Sequence, residues 1–60
     1  MVELIELRDR LEASRELWQK RLREAREGGD EIACRLSKGV IIGLTIAIAE
    51  IELMLKIELA

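Results

Sequence analysis

Apolar residues in the first half of the chain recur along one line, whereas those in the second half recur along two. From Val2 to about Glu27, Leu4, Leu7, Leu11, Ser14, Trp18, Leu22 and Ala25 follow at intervals of three and four. That interval lines residues up on a single side of an α-helix. Most positions between them are charged. Glu6 with Arg10 and Glu16 with Lys20 stand four apart in the favourable order, each pair worth ~0.2–0.5 kcal/mol. Arg23 and Arg26 fall in the last turn, where cations suit the negative end of the helix dipole. The pattern predicts a helix over residues 2–27.

The second half is different. When Gly39–Leu59 is wound at roughly 100° per residue, Ile41, Leu44, Ile48, Ile51, Leu55 and Leu59 gather on one face. Ile42, Ile46, Leu53 and Ile57 gather on a nearly opposite one. Lys38, Thr45, Glu52 and Lys56 form a narrow polar stripe with Ala49 beside it, and Gly39, Gly43, Ala47, Glu50 and Met54 occupy the remaining side. A surface helix normally carries one apolar stripe. This one carries two.

Gly28-Gly29-Asp30 punctuates the two halves. Gly28 can take the left-handed conformation that ends a helix, and Asp30 can cap the next by accepting bonds from its first free amides. So short a link forces two long helices, residues 2–27 and 31–59, into an antiparallel hairpin. With the turn near Gly29, Leu22 falls opposite Leu36, Trp18 opposite Val40, Leu11 opposite Ala47 or Ile48, and Leu7 opposite Ile51. Trp18 then lies level with Gly39 and Gly43, a large ring set against missing side chains. The expected hairpin core is Leu4, Leu7, Leu11, Trp18 and Leu22 against Leu44, Ile48, Ile51 and Leu55.

A rival reading concerns the C-terminus. Ile51–Leu59 reads I-E-L-M-L-K-I-E-L, the alternation of a half-buried strand, which would give an N-terminal helix and a C-terminal β-strand in an α+β oligomer. Against it, Val40, Ile41 and Ile42 are consecutive and no turn residue follows Gly43. A strand of some 20 residues would exceed the usual length. The preferred fold is therefore all-α, a single hairpin domain over residues 1–60.

A lone hairpin would leave one apolar face of its second helix in water. Hiding Ile42, Ile46, Leu53 and Ile57 is worth ~1.5–3 kcal/mol each, or about 6–12 kcal/mol per chain, comparable to the whole stability of a small domain. These four, with Gly43 and Ala47, form the expected oligomer interface of a homo-oligomeric bundle. A dimeric four-helix bundle is the simplest closure, and a ring of three or more chains the alternative.

Composition narrows the remaining choices. Sixty residues is near the size at which one core is marginal and disulfides, metals or oligomerisation must help. Cys34 is the sole cysteine and histidine is absent, so neither an internal disulfide nor a familiar metal-ligand spacing is on offer. Ten basic against twelve acidic residues disfavour a dedicated nucleic-acid binder. The longest uncharged run, Gly39 to Ala49, is about half of the ~20 residues a membrane span needs. No secretory pattern opens the chain. A cytoplasmic or recombinant soluble protein without cofactor or small-molecule ligand is expected.

The alphabet lacks Pro, His, Phe and Tyr and is rich in Leu, Ile, Glu and Arg. It resembles that of de novo designed helical-hairpin oligomers. In size and layout the chain is also similar to the Rop family of RNA-binding helical hairpins, which dimerise into four-helix bundles; that resemblance implies a binding module presenting the first helix, with Arg8, Arg10, Arg15, Lys20, Arg21, Arg23 and Arg26, to an RNA or protein partner. Acidic neighbours intersperse these cations, and a charged helix surface is usually just solvated. The preferred function is a structural self-assembly module without catalysis, whose partners are copies of itself.

Several single residues each admit two readings. Cys34 could bridge chains, against an inert reduced thiol. Gly39 and Gly43, extended by Ala47, have the spacing that lets helices approach closely, against simple packing beside Trp18. Glu50, among small and apolar residues, could form a carboxylate ring in an oligomer, against an exposed surface glutamate. Ser14, Ser37 and Thr45 could join in a buried hydrogen-bond network. Without histidine there is no Ser-His-Asp set, and no glycine-rich phosphate loop occurs.

Overall fold

The computed structural model describes the backbone of residues 2–59 and side chains as far as Ile57; Leu59, assigned above to the inner face, lies with Glu58 outside the described side chains. Two α-helices, α1 (Val2–Gly28) and α2 (Glu31–Leu59), account for the described chain apart from Gly29 and Asp30. They pack along their length as an antiparallel hairpin measuring 46 × 14 × 11 Å. Glu3 lies in the first turn of α1, and its carboxyl is held below the usual value, chiefly by a hydrogen bond from its own backbone.

The turn is a Schellman closure. The Gly29 amide donates to the Arg26 carbonyl at 3.2 Å and the Asp30 amide to the Ala25 carbonyl at 2.9 Å. Gly29, at φ 70°, supplies the left-handed residue; this corrects the expectation for Gly28, which remains in α1 as its last residue. A side chain would be strained at Gly29, so glycine is needed there. Asp30 then serves α2: its Oδ1 accepts the Ala33 amide at 3.0 Å, and its carbonyl accepts the Cys34 amide at 3.0 Å. One residue thus ends the first helix and caps the second.

Ile48, Ile51, Leu55, Ala25 and Ser37 are buried in the seam. Leu4, Leu11, Trp18, Leu22 and Leu44 are half-buried along it. Leu7 departs from its expected place in this core and is 45% exposed. On α1 it stands about 60° from Leu4, and Arg8, half-buried, takes the seam in its place. Arginine can do so because its aliphatic stem covers apolar surface while its head reaches outward. The Arg8 guanidinium meets Asp9 at 3.4 Å, but its Nε is buried with no hydrogen-bond partner among the described residues.

The C-terminal stretch is helical throughout, and no strand occurs among the described residues. The alternation that suggested a strand is two interleaved series of spacing four. Ile51 and Leu55 point into the seam, whereas Leu53 and Ile57 point away from it. Both series are consistent with a helix of 3.6 residues per turn.

Candidate self-association surface

The surface of interest is the side of α2 turned away from α1. Ile42 is 60% exposed, Ile46 59%, Leu53 52% and Ile57 66%. At the other end of the same side, Ile32 is 82% exposed. Each lies within about 80° of the others around the helix, so they form a stripe rather than scattered positions. Isolated exposed aliphatics are ordinary on a protein surface; these five instead share one side of one helix.

Gly39 and Gly43 lie within this stripe. The expected match with the Trp18 ring is not found: a Cβ built at either glycine meets nothing within 4 Å. Each glycine costs a helix interior ~1 kcal/mol against alanine. Nothing inside the hairpin compensates for that cost, since the missing side chains open onto solvent. Trp18 is instead half-buried, with the Arg21 guanidinium 4.6 Å above its ring, a cation–π contact worth ~0.5–1 kcal/mol at an exposed site. Ala47, placed above in the oligomer interface, is half-buried within the hairpin itself. It lies at the border between the two surfaces.

The hairpin's two long edges differ in character. On one, Arg15 donates to the Thr45 hydroxyl at 3.4 Å, and that hydroxyl donates to the Ile41 carbonyl one turn earlier at 2.8 Å. Cys34 and Lys38 line a shallow depression with Arg26 on this side of the turn. On the other edge, Trp18 and Arg21 border a depression with Ala33, Leu36 and Ser37. Leu36 and Met54 are exposed, and helical spacing sets them on that second edge. The apolar surface therefore continues from the outer stripe of α2 around one edge only.

The remaining candidates find modest places. No hydrogen bond among the described residues joins Ser14, Ser37 and Thr45 into a network. Cys34 is half-buried with a free thiol. Glu50 is exposed on the outer stripe. Sequence reasoning missed Arg8, Glu12 and Arg15 as half-buried residues; for Arg8 and Arg15 the signal available was their spacing of three and four from Leu4, Leu11 and Trp18, whereas Glu12 stands at that spacing from none of them. Among the described residues no group of three or more acidic, Cys or His side chains is arranged to hold a metal ion. None of their helices is long and apolar enough to cross a membrane.

Comparison of the chain with protein-family models, with curated proteins and with solved structures finds no match.

Proposed function

We propose that this chain is a self-assembly module: a helical hairpin whose activity is to form a defined homo-oligomeric bundle. The observation that carries the reading is the unpartnered stripe on α2, where Ile42, Ile46, Leu53 and Ile57 each keep more than half of their surface in water. Covering them would add several kcal/mol per chain, which a hairpin this small needs. The narrow residue alphabet suits the same purpose, as in a sequence composed for assembly. Copies of the chain are the partner this stripe fits, because each copy brings the same apolar surface.

The test is mass in solution by light scattering, paired with circular dichroism. The native chain is expected to run as an oligomer with a strong helical signal. Ile46→Lys combined with Leu53→Lys is expected to abolish the oligomer and most of the helix together. A native chain that stays monomeric and helical at all concentrations would overturn the proposal.

A further inference from the structure

The outer stripe of α2 also carries charge, and the charge has a direction. Arg35 and Ile32 lie near its N-terminal end and Glu50 and Leu53 toward its C-terminal end, while Glu31 and Lys56 flank it at the two ends on the edge that carries Thr45, all of them exposed. We infer that two copies meet through this stripe with their α2 helices antiparallel, the twofold axis passing beside Ile42 and Gly43. The inference rests on the self-association reading and specifies its geometry.

In that register Ile46 of each copy faces Gly39 of the other, so a large side chain enters the space beside Gly39 that stands open in the single hairpin, where a Cβ would meet nothing within 4 Å. Arg35 comes opposite Glu50 of the second copy, Lys56 falls near its Glu31, and Ile32 meets its Leu53. Symmetry repeats every contact. A parallel pairing would instead set Glu50 against Glu50 and Arg35 against Arg35, and like charges across an interface are repulsive. Sliding the antiparallel pair by one turn also fails. In one direction Arg35 reaches Met54 and Glu50 reaches Gly39; in the other Glu50 approaches Glu31 and Ile46 approaches Arg35.

The overlap spans nearly all of α2. It suits the ~800 Å² per partner that a specific interface uses, roughly one-sixth of the 4641 Å² exposed by one hairpin. Glycine at the contact lets the backbones approach closely. The apolar edge bearing Leu36 and Met54 would adjoin the same contact, extending it toward Trp18 and Leu7 of α1.

Cross-linking tests the register. With Cys34→Ser as background, the Gly39→Cys and Ile46→Cys chains are mixed and oxidised, and the disulfide products are identified by mass. The product joining one G39C chain to one I46C chain is expected to dominate. Like positions would lie about 10 Å apart along the helix, too far for a disulfide. Dominance of the two like-to-like products, or oligomers that yield no mixed product, overturns this geometry while leaving assembly itself standing. A native chain that is monomeric by light scattering overturns both.

A second experiment avoids placing cysteine in the contact. Glu50→Arg and Arg35→Glu are each expected to weaken association roughly tenfold, and the two combined in one chain are expected to restore it. Unchanged association in both single variants, or no recovery in the double variant, counts against the antiparallel pairing.

Discussion

Truncating Ile46 separates a hairpin that is stable alone from one that completes its fold by association. In the single chain Ile46 is 59% exposed, whereas Ile48, two residues on, is 3% exposed. Ile48→Ala removes a side chain buried within the hairpin and is expected to cost about 2–5 kcal/mol in any assembly state. For Ile46→Ala a lone hairpin would lose only the part already covered, about 0.5–1 kcal/mol, and alanine's better helix propensity returns a few tenths. If the exposed part is covered by a second copy, a further ~1–2 kcal/mol is lost per chain, or ~2–4 kcal/mol per dimer. That corresponds to a dissociation constant raised about 30- to 1000-fold. The assay is denaturant unfolding followed by the helical circular dichroism signal across a wide span of protein concentration. Association stabilises by mass action, so the native midpoint should rise with concentration. The Ile46→Ala chain should need correspondingly higher concentration to reach the same midpoint, and Ile48→Ala should lie lower throughout. A native midpoint independent of concentration, with Ile46→Ala within about 0.5 kcal/mol of native, would refute the reasoning.

The turn and the seam give further outcomes. Gly29→Ala forces a side chain into the left-handed region and should destabilise by about 1–2 kcal/mol, whereas Gly28→Ala, at a helical position with open space around it, should stabilise by up to ~1 kcal/mol; thermal unfolding compares the two. Asp30→Ala removes the acceptor for the Ala33 amide and should lower stability by ~1 kcal/mol, and Asp30→Asn should retain most of it. Arg8→Met keeps the stem in the seam and removes the unpartnered Nε; unfolding should show it neutral to ~1 kcal/mol more stable, and a loss of several kcal/mol would show that the guanidinium has a stabilising role.

The chain by itself determined its two helices, their antiparallel order and the division of the apolar residues of α2 between two nearly opposite faces. Those properties follow from local causes: side-chain spacing against a 3.6-residue turn, two glycines and an aspartate between the helices, and a link too short for any other arrangement. The pattern was ambiguous where two series of spacing four interleave from Ile51 onward, because such a series and a strand's alternation are identical over a few residues. Tertiary packing decided how the helices are rotated about their axes. That rotation moved Leu7 outward, brought Arg8 and Arg15 into the seam, and left Gly39 and Gly43 open rather than filled by Trp18. Rotation of this kind depends on how two uneven surfaces interlock, which no one-dimensional spacing contains. A stripe's existence is a property of one helix, whereas the side it turns to its neighbour belongs to the pair.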